Sequence, residues 1–480
     1  MKALVTAALI ASLLLTTLAL YFHDQKKNPP GFYLDEASIA INALSISRDG
    51  VDEFGTPYPF YFRAFGEYKN PVYIYLLAGV FELSYPSVLV ARRVSAFACW
   101  LGTVFIGVLA WRVTRRRWIT IVTFLLAALT PALFEIGRLA FEVALYPLVI
   151  ALFLVAVHAA AQRARWNAGI IAALVTTLAL VEYTYSAGRV LAPLFVLGIA
   201  VVFYTRERRN SILALLALFI ATSIVPVVIY NHRTAGGLLA RARAASVLGY
   251  LETRPDETLE ALERSAVVNL LPIGMALRGD PNPRHHVRGG GGSMLGATLL
   301  LGITGLWITV RDRARDRWWL FVAYGTIASV VPAAITLDVY HTLRLSSFIV
   351  FVLVLSIRAL MAPASKPIIA VALILGAIQP FWFFNAFREY GRDRPMEFNV
   401  GVESMTRAAL ARPERPIYVH GDHYCHAYWF GDLNGVPRNQ FARVVSPLLV
   451  PPRSLFITHE ACEGCEELAR EHSYSLQRTP

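Results

Sequence analysis

Two adjacent carboxylates, Asp35 and Glu36, follow the first apolar run of the chain, and Lys69 comes just before the next apolar stretch. A carboxylate within hydrogen-bond reach of a hydroxyl group can take its proton, and a fixed cation stabilises negative charge that develops as a bond breaks. Charge beside a membrane is costly unless it is used or paired. We therefore predict Asp35 as a general base, with Glu36 beside it, and Lys69 as the cation.

Each of these residues also has a structural interpretation. Aspartate is a favoured helix cap, so Asp35 also fits the N-cap of a helix over residues 37–46, and the two roles are compatible. Lys69 also fits an interfacial lysine that extends its ammonium group to water. Glu67, two residues earlier, is either the partner of Lys69 or a second acidic group near the reacting hydroxyl.

Charged pairs recur at the ends of later apolar runs. His341 and Arg344 are three residues apart and share a face if they are helical, which fits an anion site. The alternative is a helix cap in an ion pair with Asp338. Arg138 and Glu142 are four residues apart and fit either a helix salt bridge or the wall of a polar cavity.

A further pair, Glu182 and Arg189, brackets Tyr183 and Tyr185, of which Tyr183 is the predicted cavity residue. An acidic residue this deep in an apolar run is a candidate functional residue, and a structural pair with Arg189 is an equal alternative.

The segment from Asp280 to His286 contains one aspartate, two histidines and Arg284. Adjacent histidines in an extended loop splay apart, so His285 and His286 make a poor metal site. We expect an ordered loop here with Arg284 near an anion and no metal ion.

The elements that must position these residues are membrane-spanning helices. The 480 residues are 56% hydrophobic and 16% charged, and the mean hydropathy is +0.50. Soluble domains are about a quarter charged, so this composition excludes a soluble enzyme, a disordered chain and a disulfide-stapled scaffold. The net charge of +12 comes from short basic clusters between apolar runs, which set membrane topology rather than bind nucleic acid.

The apolar runs predict about eleven spans. These runs cover residues 1–21, 94–113, 118–135, 143–161, 168–185, 190–204, 211–230, 294–310, 318–336, 343–361 and 367–384. With Lys2 inside, every short inner loop is basic, including the loop that carries Arg311, Arg313, Arg315 and Arg317. Residues 72–83 are too short and broken to span, so we predict an interfacial helix there.

This orientation places three long segments outside, at residues 23–71, 231–292 and 385–480. Arg92 and Arg93 also fall outside, against the positive-inside rule, which indicates a role for them there. We divide the chain into a transmembrane domain of residues 1–384 and an extracytoplasmic domain of residues 385–480.

The C-terminal domain is predicted to be a small α/β domain, with strands near residues 416–424 and 454–459. It contains potential zinc ligands, namely His420, Asp422, His423, Cys425, His426, Cys462 and Cys465. An oxidising compartment favours a disulfide among the three cysteines over a zinc site.

The outer motifs, taken in order, resemble a known family. The first outer segment reads Asp35-Glu36, then Asp49-Gly50, then Gly55-Thr56-Pro57, then Glu67-Tyr68-Lys69-Asn70-Pro71. This order resembles the first periplasmic loop of GT-C glycosyltransferases, closest to protein O-mannosyltransferases and to the aminoarabinose transferases that modify lipid A. The blocks at 138–142, 183–189, 279–285 and 341–344 resemble the same family, and the likeness covers nearly the whole chain. The family carries Lys-Pro-Pro where this chain has Lys69-Asn70-Pro71.

The resemblance implies a GT-C fold and an inverting enzyme without cofactor or metal. Such enzymes move a sugar from a polyprenyl-phosphate carrier to a hydroxyl group of a glycan, lipid or protein, at the outer face of the bacterial cytoplasmic (inner) membrane. It assigns a base to Asp35 or Glu36, and phosphate ligands to Lys69, His341, Arg344 and Arg284. It assigns the sugar and acceptor cavity to Glu67, Arg138, Glu142, Glu182, Tyr183, Arg189 and Asp280. The N-terminus is then cytoplasmic, and nucleic acid is not an expected partner.

Two other classes of function stay open. One is a transferase or ligase of lipid-linked oligosaccharides, which tends to require a divalent ion. The other is a transporter or flippase, which predicts ionisable residues at mid-span, where this chain is largely apolar. A phosphate-binding P-loop and a dinucleotide fingerprint are both absent from the sequence, which disfavours an ATP-driven transporter.

Overall fold

The structure is a computed structural model that describes residues 2–240, 243, 246–247, 249, 254–270, 273–312, 316–337 and 340–480. Arg313, Arg315 and Asp338, which enter the sequence interpretation, lie outside the described residues.

The described chain is mainly helical. Its first helices are α1 Lys2–Phe22, α2 Leu34–Asp49, α3 Pro71–Leu83, α4 Val88–Thr114, α5 Arg117–Ala128, α6 Pro131–Ile136, α7 Tyr146–Ala161, α8 Ala168–Thr184, α9 Gly188–Val202, α10 Arg209–Phe219 and α11 Val225–Arg233. The later helices are α12 Thr258–Leu270, α13 Ile273–Leu277, α14 Gly296–Arg311, α15 Arg317–Ala328, α16 Val331–Ala334, α17 Ser346–Met361, α18 Lys366–Tyr390, α19 Val402–Leu410 and α20 Tyr424–Leu433. The strands are β1 Phe62–Ala64, β2 Glu67–Lys69, β3 Ile417–His420, β4 Phe441–Val444, β5 Leu455–Thr458, β6 Glu466–Glu471 and β7 Tyr474–Arg478.

Four helical stretches of the described chain are long and apolar enough to cross a membrane: Val88–Thr114, Glu142–Ala161, Arg209–Arg233 and Pro363–Tyr390. The other apolar helices are shorter, so the count of about eleven spans stays a prediction. Helix α17 is buried along most of its length and contacts α4, α5, α7, α14 and α15. Its residues are apolar on nearly all sides, as expected for a helix surrounded by other helices.

Helix α2 carries the acidic pair. It begins at Leu34, with Tyr33 as its cap, and ends at Gly50, whose φ of 68° closes the helix in the left-handed conformation. It packs against α3 and against α20 of the C-terminal region. Asp35 therefore lies inside the first turn, and the prediction that it caps a helix over residues 37–46 is wrong.

A short hairpin follows α2 and carries Lys69. Strands β1 and β2 are antiparallel, with Phe62 opposite Lys69. They are joined by Phe65 and Gly66, whose φ values of 52° and 80° are those of the tight turn that suits a two-residue hairpin. Because Glu67 and Lys69 are two residues apart on β2, their side chains lie on the same face.

The C-terminal region contains a five-stranded sheet in the order β4-β3-β5-β7-β6. Strand β3 is parallel to β4 and β5, and β7 is antiparallel to β5 and β6. Helices α19 and α20 pack beside this sheet, so the predicted small α/β architecture is confirmed. Helix α18 continues to Tyr390, past the predicted boundary at residue 384, and the division into two domains stays a prediction.

The cysteines of this region are now assigned. Cys462 and Cys465 form a disulfide, one of the pairings that the sequence left open. Cys425 is buried and is not in a disulfide.

Candidate active site

A cavity of about 350 Å³ opens where α2 and β2 meet the start of α9 and the segments around residues 284 and 341–344. This volume lies within the usual range for a ligand site. Its charged or ionisable lining residues are Asp35, Glu67, Lys69, Glu142, Arg189, Arg284, His285, His341 and Arg344. The cavity thus brings together residues that are more than 300 positions apart in the sequence.

Asp35 and Lys69 form an ion pair at the cavity wall. The Lys69 ammonium nitrogen lies 2.5 Å from a carboxylate oxygen of Asp35. The Lys69 side chain is 6% exposed and that of Asp35 is 23% exposed. The ammonium group also lies 5.3 Å from the ring centre of Phe65. A proton acceptor and a cation are therefore in contact at one point of the wall.

Asn70 joins two charged side chains of the same wall. Its backbone N–H donates a hydrogen bond to Glu142, and its side-chain oxygen accepts one from Arg189 at 2.8 Å. Arg189 also donates to the Leu238 carbonyl at 2.9 Å. A proline at position 70, as in the Lys-Pro-Pro motif, has no N–H to donate to Glu142. The asparagine therefore makes contacts here that the family motif does not provide.

Basic side chains also line this cavity. Arg284 stacks over the Tyr33 ring at 4.2 Å, which fixes the guanidinium near the start of α2. His341 and Arg344 line the cavity just before α17, and the His341 ring centre lies 4.8 Å from that of His285. These groups can hold an anion in the cavity that Asp35 and Lys69 also line.

Asp280 contacts the lining residue His285 but does not itself line the cavity. Its carboxylate is 3.0 Å from His285 Nδ1 and accepts hydrogen bonds from the backbone N–H groups of Asn282 and Thr342. Burial by itself would raise the pKa of Asp280, but the hydrogen bond and charge of His285, with the two N–H donors, lower the pKa below its ordinary value. Asp280 therefore positions His285 and the segment that carries His341.

Donor atoms of Asp280, His285 and His341 lie within 4.8 Å of one another and could hold a metal ion. His286 points elsewhere, with Nδ1 2.7 Å from Glu135, so the two adjacent histidines do diverge as expected. His341 lies far from Asp280 and His285 in the sequence and was predicted as a phosphate ligand, so this set was not foreseen. That the protein works without a metal stays a prediction.

Glu36, in the first turn of α2, is fully buried and does not line the cavity. Arg92 donates to both of its oxygens, at 2.9 and 2.8 Å. The backbone N–H groups of Tyr33 and Ala140 donate to it at 3.0 and 2.9 Å. Arg92 also donates to the carbonyls of Pro29 and Gly31, so it ties the link after α1 to α2. Arg92 therefore has a structural role, and its position outside the membrane stays a prediction.

Arg138 and Glu142 are not a salt bridge. Arg138 is buried and donates to the carbonyls of Tyr21, His23 and Asn28. Helix α6 ends before Arg138, and the chain turns there, so the two side chains do not share a helix face. Of this predicted pair, only Glu142 lines the cavity.

Tyr185, rather than Tyr183, lines the cavity. Helix α8 continues to Thr184, which turns Tyr183 towards the Thr222 carbonyl, where its hydroxyl donates a hydrogen bond at 2.6 Å. Tyr185 leaves the helix in an extended conformation. Glu182 is buried and does not line the cavity. Tyr33 is a further lining residue that the sequence analysis missed, because an aromatic side chain before a helix carries no distinctive signal.

Comparisons with known proteins agree on the fold. No protein-family model matches the chain, and no curated protein matches it in sequence. The crystal structure of ArnT from Cupriavidus metallidurans in the apo state matches with a TM-score of 0.60 and 12% identity, over 99% of this chain and 98% of that chain. The same protein bound to undecaprenyl phosphate matches with a TM-score of 0.57 and 12% identity, over 98% and 97% of the two chains.

An archaeal oligosaccharyltransferase, AglB from Archaeoglobus fulgidus, is a more distant match. Its complex with an inhibitory peptide and a dolichol-phosphate has a TM-score of 0.51 and 12% identity, over 89% of this chain and 64% of that chain. ArnT, an aminoarabinose lipid A transferase, and AglB both have the GT-C fold. The present chain has the same fold, which confirms the fold that the sequence motifs implied.

Proposed function

We propose that this protein is an integral membrane glycosyltransferase that moves a monosaccharide from a polyprenyl-phosphate carrier to a hydroxyl group of an acceptor, with inversion at the sugar carbon. The observation that carries the proposal is the Asp35–Lys69 pair on the wall of a cavity that Arg284, His341 and Arg344 also line. The GT-C fold, and the lipid phosphates bound in structures of similar fold, support it. Its site faces outward, and its N-terminus is cytoplasmic, in a bacterial inner membrane.

The reaction needs one proton acceptor and several cations. The acceptor oxygen attacks the anomeric carbon, and its proton passes to the Asp35 carboxylate. The bond from that carbon to the phosphate oxygen breaks, and the carrier leaves as a phosphate monoester. Lys69, Arg284 and Arg344 surround the negative charge of that phosphate, with His341 beside them.

The ion pair gives these events an order. Lys69 and Asp35 neutralise each other across 2.5 Å. A donor phosphate offers Lys69 a second anion, so the ammonium group is shared and the carboxylate becomes available to the acceptor hydroxyl. Glu36 does not touch the substrate in this scheme, and it holds the first turn of α2 in place through Arg92.

The test is release of free polyprenyl phosphate by the purified protein in nanodiscs. A panel of polyprenyl-phosphate monosaccharides is mixed with a crude acceptor extract, and wild type is compared with Asp35→Asn. Asp49→Asn is the matched control, because Asp49 lies on the same helix with an exposed side chain. We expect release with one donor, a loss of about 10²- to 10⁴-fold in Asp35→Asn, and wild-type release in Asp49→Asn. Equal release by all three proteins would remove Asp35 as the base, and no release with any donor would overturn the proposed donor class.

A second candidate is transfer of a lipid-linked oligosaccharide with a divalent ion. The donor set of Asp280, His285 and His341 beside the cavity favours it. A chelator distinguishes the two candidates. Release of polyprenyl phosphate from monosaccharide donors should continue in the presence of the chelator. An ion-dependent transfer of oligosaccharide should stop and should resume when the ion is restored.

A further inference from the structure

The C-terminal sheet contains a second cluster of potential metal ligands, away from the cavity. His420 is the last residue of β3, and His459 and Glu460 follow directly after β5. Strands β3 and β5 are parallel neighbours, so their carboxyl ends lie at the same edge of the sheet. Residues that are 39 and 40 positions apart in the sequence therefore meet at this edge.

This edge is also where the topology favours a ligand. From β3 the chain first crosses to β4 on one side and then returns to β5 on the other side. The strand order thus reverses at β3, and in open α/β sheets such a reversal leaves a crevice outside the carboxyl ends of the strands. His420, His459 and Glu460 stand at that crevice.

The three side chains are close enough to share one ion. One ligand atom from each lies within 4.8 Å of the other two. The Nε2 atom of His420 is 3.6 Å from a Glu460 oxygen, and the rings of His420 and His459 are 5.0 Å apart. Two imidazoles and one carboxylate form a common protein ligand set for zinc.

The cluster also has buried imidazole nitrogens with nothing to bind. Within the described residues, the Nδ1 atoms of His420 and His423 are buried and have no hydrogen-bond partner. A buried polar atom without a partner is destabilising, and native proteins rarely keep one without a reason. The His423 ring lies 5.6 Å from that of His459, so it is near enough to serve as a further ligand or as support.

The surroundings fit an accessible, prearranged site. His420 is buried, whereas His459 and Glu460 are exposed, so an ion has a path from solvent. The Cys462–Cys465 disulfide closes the turn directly after Glu460. Nε2 of His420 is also 3.3 Å from the Val445 carbonyl. A proton donated there by Nε2 leaves Nδ1, which has no partner among the described residues, as the nitrogen that holds the ion.

We propose that His420, His459 and Glu460 bind a divalent transition-metal ion, with Zn²⁺ as the best fit, and that His423 completes or supports the site. The ion joins the ends of β3 and β5 on the outer domain. The sequence favoured a disulfide over a zinc site in this region, and the Cys462–Cys465 disulfide leaves these histidines available. It uses a different ligand set from the one that the sequence indicated, because two of the cysteines bond to each other. It is independent of the proposed transferase activity.

The test measures metal binding to the full-length protein in detergent. The protein is freed of metal with a chelator and titrated with Zn²⁺ by calorimetry, and then with Co²⁺, whose visible absorption reports imidazole and carboxylate ligation. His459→Asn and Glu460→Gln are the test variants, since both side chains are exposed and tolerate substitution. His472→Asn is the matched control, because His472 is an exposed histidine of the same domain.

We expect wild type and His472→Asn to bind one Zn²⁺ equivalent that His459→Asn lacks or binds at least about 100-fold more weakly. Counting the lost equivalent separates this site from any ion bound by Asp280, His285 and His341. The Co²⁺ absorption should fall with the same variant. Equal stoichiometry and affinity in wild type, His459→Asn and Glu460→Gln, in protein whose thermal unfolding in chelator is unchanged, would overturn the proposal.

Discussion

The first turn of α2 has two faces whose adjacent carboxylates lie in different environments. Asp35 faces a polar cavity and contacts a lysine. Glu36 is fully enclosed and accepts hydrogen bonds from Arg92 and from two backbone N–H groups. Successive helical residues point about 100° apart, so one turn cannot present both carboxylates to the same substrate. Asp35, on the cavity face, can do chemistry. Glu36, on the enclosed face of the turn (the rear face), holds α2 in position through Arg92.

The largest expected effect comes from breaking the rear face. Arg92→Met leaves the buried Glu36 carboxylate without its cation, which should cost about 3–5 kcal/mol in free energy of unfolding. Unfolding in detergent, followed by circular dichroism, measures this loss.

The neighbouring arginine is the control for that change. Arg93 is exposed, so Arg93→Met should change stability by less than about 1 kcal/mol. Adding Glu36→Gln to Arg92→Met removes the unpaired charge and should recover part of the loss. If Arg92→Met and Arg93→Met unfold alike, the rear face does not hold the fold as described.

The next effect concerns the cavity face. Lys69→Met removes a cation from the developing phosphate charge, so release of polyprenyl phosphate should fall by about 10²- to 10³-fold. Lys27→Met is the control, because Lys27 is exposed and does not line the cavity. Unchanged release by Lys69→Met would assign Lys69 a purely structural role.

A smaller effect tests the contact of α2 with the C-terminal region. Glu53 accepts a hydrogen bond from Asn42 on α2 and lies 3.8 Å from the Cys425 sulfur. Burial raises the pKa of Glu53 to about 7. The folded protein therefore holds the Glu53 proton between about pH 4.5 and pH 7, where the unfolded chain has lost it, and stability falls as pH rises through that window.

Glu53→Gln should remove this pH dependence. The shift corresponds to about 3 kcal/mol at most, so the variant should gain up to that amount of stability relative to wild type above pH 7. Thermal unfolding measured from pH 5 to pH 8 checks the slope, with the exposed Glu263→Gln as control. Parallel curves for wild type and Glu53→Gln would contradict the expectation.

The sequence predicted the fold and much of the cavity wall, because polar residues beside apolar runs are conspicuous. It also placed Glu36 beside Asp35 at the reacting hydroxyl and chose Tyr183 for the cavity, where Tyr185 lies, because those choices depend on where a helix begins or ends. The start of α2 at Leu34 and the end of α8 at Thr184 decide which side chain faces the cavity. Boundaries of this kind depend on packing and on partners distant in sequence, such as Arg92.

Local sequence patterns also could not show which distant strands pair or how many helices span the membrane. His420 meets His459 and Glu460 only because β3 and β5 pair in parallel, and neither segment indicates that pairing. Helices such as α14, at Gly296–Arg311, are shorter than the roughly 20 residues that cross a bilayer, so hydropathy alone does not fix the number of spans.

The most direct test of the division between the two faces compares Asp35→Asn with Glu36→Gln, with polyprenyl-phosphate release expressed per folded molecule. We expect Asp35→Asn to unfold like wild type but to release carrier about 10²- to 10⁴-fold more slowly. We expect Glu36→Gln to be less stable, while its folded molecules release carrier at close to the wild-type rate. Folded Glu36→Gln that is as inactive as Asp35→Asn, or Asp35→Asn at the wild-type rate, would contradict these expectations.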